Sequence, residues 1–104
     1  SHVIQITNSE ESDNFIANNL RGVIFFGSED VPIVEPWLQS TTKANKYTST
    51  NVVAFAHVET SEVEVDNLDG VPVFVAYKDH KPIDTVLGAR PEALTTMIQQ
   101  KLMV

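Results

Sequence analysis

Few side chains in this sequence of 104 residues could carry out chemistry, and none stands in a catalytic pattern. There is no cysteine, which excludes a disulfide, a thiolate metal site and a cysteine nucleophile. Ser28 is a candidate nucleophile, but no base stands near it in the sequence, and a serine needs one within hydrogen-bond reach. His57 and His80 have no second imidazole or carboxylate at ligand spacing. We therefore predict no enzymatic activity, no metal and no cofactor.

Each remaining candidate has a structural interpretation beside the functional one. Ser28 fits a turn or a helix cap, and His57, inside an apolar run, fits a hydrogen-bonded histidine at the edge of the core. Trp37 is expected in the core, with a binding anchor as the alternative. Between Tyr47 and Tyr77 there is no Lys or Arg, whereas five acidic residues occur there. A solvated acidic face is the favoured interpretation, and a docking patch for a basic partner is the alternative.

The composition narrows the class of protein and its partners. Fourteen acidic residues against seven basic ones give a net charge of −7, which argues against nucleic acid as a partner. The 42% apolar content is enough for a core without disulfides or metals, and the apolar runs are too short to span a bilayer. Because no cysteine, no leader pattern and no Asn-x-Ser/Thr sequon occur, we expect a cytoplasmic or nuclear location. We also expect no membrane contact, and a monomer as an isolated domain.

The apolar pattern predicts one α/β domain over residues 1–104, with the element order β-α-β-α-β-α-β-β-α. Strands linked by helices imply parallel crossovers, and a tight hairpin turn at residues 78–81 adds antiparallel strands. The second strand is apolar on both faces, as expected of a central buried strand. The sequence therefore predicts a mixed central sheet flanked by helices, with strands at residues 3–7, 23–26, 52–58, 73–77 and 83–87.

Capping signals position the first helix. With Asn8 as the N-cap, Glu11 falls at the capping-box position. Phe15 or Ile16, together with Leu20, would then form the side of the helix that faces the core.

Proline residues mark two of the later helices. Pro32 suits the first turn of a second helix, which Pro36 should bend. Residues 61–68 fit either a strand or a short helix, and we favour the helix. Pro91 opens the last helix, whose apolar residues share one face: Leu94, Met97, Ile98 and Leu102.

Three local features of the sequence, in the predicted order of strands and helices, resemble those of a known family. Gly70-Val71-Pro72-Val73-Phe74 is similar to a loop that holds a cis-proline before a strand. The second feature is the polar hairpin from Tyr77 to Asp84, followed by Gly88-Ala89 before the last helix. The third is Phe25-Phe26-Gly27, which is similar to a strand that leads into a helix with a proline inside it, here Pro36. In this order and spacing the features resemble a thioredoxin-like domain over nearly the whole chain. The resemblance implies the thioredoxin fold and a cis bond between Val71 and Pro72.

The chemistry of that family depends on a Cys-x-x-Cys at the start of the second helix. The corresponding place here contains no thiol and consists of Ser28, Glu29, Asp30, Val31 and Pro32. The family's buried carboxylate on the preceding strand is missing too, because residues 23–26 are all apolar. The resemblance therefore implies a redox-inactive domain with a degenerate active-site loop.

The end of the chain resembles a narrower group. Pro82-Ile83-Asp84, Gly88-Ala89 and Glu92-Ala93-Leu94 are similar to the N-terminal domain of multidomain monothiol glutaredoxins. Many such domains lack a working cysteine pair and serve targeting or partner binding. The resemblance implies a domain excised from a longer protein of iron–sulfur or redox homeostasis. The alternative is a non-catalytic peptide-binding or chaperone-like domain, as in disulfide isomerases.

The same resemblance predicts where a protein or peptide partner binds. Three loops should converge, and their residues are Ser28 to Pro32, then Val71 and Pro72, then Gly88 and Ala89. An extended peptide could bury Val31 and Val71 there while pairing with backbone groups at the strand ends. Glu29 and Asp30 at the rim would favour a basic partner.

Overall fold

A computed structural model describes residues 3–27, 53–63, 65, 70, 72–88 and 90–102 of the chain. In this part, five strands form one sheet with the order β1-β3-β2-β4-β5. The strand β2 is parallel to β3 and antiparallel to β4, so the predicted mixed sheet is confirmed. The strands are β1 (Val3–Ile6), β2 (Arg21–Gly27), β3 (Ala54–Glu59), β4 (Val73–Lys78) and β5 (Lys81–Leu87).

Two helices flank this sheet within the described ranges. Helix α1 spans Ser9–Asn18, and helix α2 spans Pro91–Met97 and continues as a π-helical turn over Ile98–Leu102. The predicted helix that begins at Pro32 lies outside the described residues, as does half of the stretch at 61–68. At the described start of that stretch, the amides of Glu62 and Val63 both donate to the carbonyl of Glu59, which forms a turn.

The two faces of the sheet bury different sets of side chains. One face packs against α2, whose predicted apolar residues are all buried, and the other face packs against α1. The central strand β2 contributes to both faces, because Val23 and Phe25 lie on the α2 side and Ile24 on the α1 side. Phe25 is fully buried, with its ring between those of His57 and Phe74 at centroid distances of 5.0 and 4.9 Å.

The prediction that Leu20 faces the core with α1 is wrong. The helix ends at Asn18, and the backbone of Asn19 is extended, with φ −135° and ψ 120°. Asn19 also donates from its side-chain amide to the carbonyl of Phe15, so it ends the helix. Leu20 therefore lies beyond the helix with 59% of its surface exposed, and only Phe15 of the predicted stripe is fully buried.

The hairpin between β4 and β5 turns at the residues that the sequence predicts. Asp79 and His80 have φ angles of 54° and 69°, the positive values that a two-residue type I′ turn requires at both positions. The turn is also tied to the rest of the chain. The amide of Asp79 donates to the carbonyl of Leu20, and Nδ1 of His80 lies 2.9 Å from the carbonyl oxygen of Ile16.

The predicted N-cap of α1 is confirmed, and the acidic partner in its first turn bonds one residue earlier than expected. Asn8 Oδ1 accepts from the amide of Glu11 at 2.8 Å. The Glu11 carboxylate accepts from the amide of Thr7 at 2.8 Å and from the Thr7 hydroxyl. These bonds stabilise the charged form and hold the pKa of Glu11 below its usual value of 4.5.

We expect Glu11→Gln to lower the melting temperature near neutral pH, by no more than about 3 °C because the site is exposed. A depressed carboxyl pKa stabilises the fold above the unfolded-state value and stops doing so as the pH falls through the folded-state value. The difference between wild type and variant should therefore close in acid. Thermal melts across this range test it, with Glu10→Gln as the control for charge in the same helical turn. A gap that persisted below the pKa of Glu11 would contradict the explanation.

Candidate functional site

Much of the predicted binding surface lies outside the described residues: Ser28, Glu29, Asp30, Val31, Pro32, Val71 and Ala89. Pro72 and Gly88 are described, as is Gly27, which directly precedes the loop. Because the Val71–Pro72 bond involves a residue outside this range, its cis geometry stays a prediction.

The register of the sheet brings Gly27, Pro72 and Gly88 together. Phe26 pairs with Val73 across β2 and β4, and Val73 pairs with Leu87 across β4 and β5. Each of the three residues is a chain neighbour of one member of this row, so all three lie at the same end of the sheet. We call Gly27, Pro72 and Gly88 the strand-end junction.

Direct contacts hold the strand-end junction closed. The amide of Gly88 donates to the carbonyl of Pro72 at 2.7 Å, and Pro72 is buried. Gly88 has φ 90°, a conformation that only glycine adopts at little cost. At Gly27, a Cβ atom would lie 2.8 Å from Cζ of Phe25 and 3.3 Å from Cβ of Pro72. Close packing therefore leaves no room for a side chain at this point of β2.

His57, on β3, forms a hydrogen bond to the strand-end junction. Its Nε2 lies 2.9 Å from the carbonyl oxygen of Gly27, and because a carbonyl only accepts, this nitrogen donates. Its Nδ1 lies 2.9 Å from Oε1 of Gln5, and its ring stacks on Phe25 with 17° between the planes. The side chain is 2% exposed, so it is a hydrogen-bonded core residue, more deeply buried than the predicted position at the core edge.

The described part of the site offers little for acid–base or metal chemistry. Within these residues, no group of three His, Asp or Glu side chains could hold a metal ion. The pKa of Tyr77 is raised because the phenol is partly buried, which keeps the group protonated. No helix in the described part is long and apolar enough to cross a membrane.

Known proteins share this architecture over most of the chain. A thioredoxin structure from Plasmodium falciparum superposes with a TM-score of 0.79 at 28% identity, covering 95% of this chain and 99% of that one. Oxidised mitochondrial thioredoxin 3 from Saccharomyces cerevisiae gives a TM-score of 0.78 at 26% identity, with 93% of both chains covered. The chain therefore has the thioredoxin fold.

Sequence comparison gives the same result at low identity. Thioredoxin 1 of Plasmodium falciparum (isolate 3D7) is 29% identical over 99 residues, which are 91% of this chain and 93% of that protein. Thioredoxin of Coprinus comatus is 35% identical over 63 residues, 57% of this chain and 58% of that protein. No family model matches the sequence. The thioredoxin-like domain therefore keeps the fold of these relatives in a chain that contains no cysteine.

Sequence reasoning did not find the pairing of His57 with Gly27 and Gln5. The three residues belong to three different strands, and only the alignment of those strands brings them into contact. The one available signal was an imidazole inside an otherwise apolar strand, since a buried polar ring needs partners.

Proposed function

We propose that this thioredoxin-like domain is redox-inactive and acts as a protein-binding or targeting module. The observation that carries the proposal is the retention of the fold over at least nine-tenths of a thioredoxin's length in a chain without a thiol. Thiol–disulfide exchange needs a thiolate nucleophile, so a chain that keeps this fold without one must use it for something else.

The strand-end junction supports protein binding as that use. Its three residues form a closely packed base next to the predicted binding loops, and His57 fixes the carbonyl of Gly27 from within the core. A rigid base of this kind lowers the entropy that is lost when a partner binds. The partner that we propose is an extended peptide carrying Lys or Arg, because Glu29 and Asp30 belong to the loop that follows Gly27.

The parent that we propose for the domain is a cytoplasmic or nuclear monothiol glutaredoxin of iron–sulfur or redox homeostasis. This part of the proposal rests on the resemblance of the segments around Pro82, Gly88 and Glu92, because the relatives named above are thioredoxins. The full-length gene tests it. A downstream module with a Cys-Gly-Phe-Ser type motif supports this parent. A secretory leader with further thioredoxin-like domains would instead favour the chaperone-like alternative of disulfide isomerases.

We expect Val71→Asp to abolish partner binding at the loop surface while the domain stays folded. A charge in the predicted apolar surface must be desolvated on binding, which should weaken the affinity at least tenfold, or by about 1.4 kcal/mol. The measurement is a titration of ¹⁵N-labelled domain with the other domains of the full-length protein, following the amide shifts of Gly27 and Gly88.

The matched control is Leu20→Asp, which introduces the same charge at an exposed apolar residue before the other end of β2. The strand of seven residues separates the two ends by roughly 20 Å, so this variant should bind normally. Normal binding by Val71→Asp, with amide shifts confined to the acidic stretch that begins at Glu59, would mean that the domain docks through its charged face instead.

A further inference from the structure

A concave surface lies on the α1 side of the sheet, at the same end as the strand-end junction, because Phe26 lines it and directly precedes Gly27. Ile6, Phe26 and Val58 form one row across the three parallel strands, because Val58 is the register partner of both others. Val63 and Val65, from the chain that follows β3, complete an apolar pocket of about 230 Å³ beside α1. We call this cavity the α1 pocket.

The walls of the α1 pocket are incompletely covered. Phe26, Val63 and Val65 pack against the buried cluster on this face, yet each stays only half-buried. Ile6 and Val58 beneath them are buried. The cavity therefore presents apolar surface to solvent along its walls and has an apolar floor, an arrangement that favours the burial of an apolar group.

The mouth of the α1 pocket is polar and negatively charged. Ser9, Ser12 and Asp13 line it from α1, and every charged residue of that helix is acidic. Glu59 and Glu62 lie in the turn that leads to Val63. The described residues 59–63 contain no Lys or Arg. A positively charged ligand would be attracted to this rim.

We propose that the α1 pocket receives one apolar side chain of a Lys- or Arg-rich peptide segment from a partner protein. The inference rests on the protein-binding function proposed above and adds a second point of contact. The volume decides the kind of occupant, because pockets that enclose drug-sized molecules measure roughly 300–1,000 Å³. A cavity of 230 Å³ suits a single anchoring side chain, and the acidic rim selects basic residues on either side of that anchor.

The test uses the synthetic peptide Gly-Lys-Lys-Leu-Lys-Lys-Gly and the ¹⁵N-labelled domain. We expect saturable amide shifts at Ile6, Ser12, Val58 and Val63, and binding that weakens as salt rises to about 0.5 M. Replacing the central Leu of the peptide by Ala should weaken binding at least about fivefold, because the buried anchor is lost. Replacing the four Lys by Ser should weaken it by a similar factor or more.

Two variants of the domain block the cavity in different ways. Val63→Lys places a cation in the apolar wall, and Ser12→Leu narrows the mouth with a residue that a helix accepts well. Each should weaken binding of the Leu peptide at least about tenfold, or about 1.4 kcal/mol. Leu20→Lys, at an exposed apolar site before β2, is the matched control for Val63→Lys and should bind normally.

The rim is tested separately from the cavity. Asp13→Asn should weaken binding about two- to fivefold at low salt, whereas Glu92→Gln should not change it, since Glu92 is an exposed acid on α2.

The proposal is overturned if the Leu and Ala peptides bind equally, since charge alone would then explain the association. It is also overturned if the Ser peptide binds as well as the Lys peptide, or if folded Val63→Lys and Ser12→Leu domains both bind normally. Suppose instead that a full-length partner binds the domain, and that Val71→Asp weakens this binding but Val63→Lys does not. The protein-binding function would then stand, and only the role proposed for the α1 pocket would be wrong.

Discussion

Phe25→Ala should lower the free energy of unfolding by about 3–5 kcal/mol, a large fraction of the roughly 5–15 kcal/mol that stabilises a typical domain. The side chain is fully buried in the central strand β2 and stacks between His57 and Phe74. Its removal leaves a cavity on the α2 face of the sheet. It also takes away the ring on which His57 stacks while His57 bonds to the carbonyl of Gly27. Urea denaturation followed by circular dichroism measures the loss.

Leu20→Ala is the matched control for this experiment. It also removes a large apolar side chain, from the residue before β2, but Leu20 is 59% exposed, so the change should stay within about 0.5 kcal/mol. If Phe25→Ala cost no more than the control, the stacked arrangement of Phe25, His57 and Phe74 would not be what holds this face of the sheet together.

The second large effect is a complete lack of thiol–disulfide activity. We expect the domain to reduce insulin and to rearrange scrambled disulfides no faster than the buffer with dithiothreitol alone. Both reactions pass through a mixed disulfide with the catalyst, and this chain has no sulfur atom that could form one, since its sulfur is confined to two methionines. An active thioredoxin at the same concentration is the positive control.

Turnover above background by a homogeneous preparation, verified by mass spectrometry to lack cysteine, would contradict redox inactivity. The outcome bears on the proposed function directly. An inactive domain leaves binding as the use of the fold, whereas an active one would require a chemical group that the residues do not suggest.

Some features of this protein follow from short stretches of the sequence. Asn8 caps α1 and Pro91 opens α2 as predicted, because a cap needs only one side chain and its neighbouring amides. The hairpin turn at Asp79 and His80 and the buried strand β2 are equally local, since both depend on contiguous residues. The lack of a thiol is also a property of the sequence alone.

The residue at which α1 ends could not be predicted from the spacing of apolar residues. The apolar spacing predicts that Leu20 continues the buried face, but spacing alone carries no information about the residue at which a helix ends. The side chain of Asn19 bonds back to Phe15, the backbone extends, and the strand β2 begins at Arg21. The carbonyl of Leu20 then accepts from the hairpin amide of Asp79, a partner 59 positions away in the sequence.

The sites themselves were decided by the pairing of strands. His57 lies 30 residues from Gly27 and 52 from Gln5, and these three meet only because β3 lies between β1 and β2 in parallel register. The same register aligns Ile6 and Phe26 with Val58 in the row of residues that lines the α1 pocket. A sequence read along one strand shows which of its residues share a face, but the alignment with neighbouring strands depends on the free energy of the whole packed sheet, and only the tertiary structure records it.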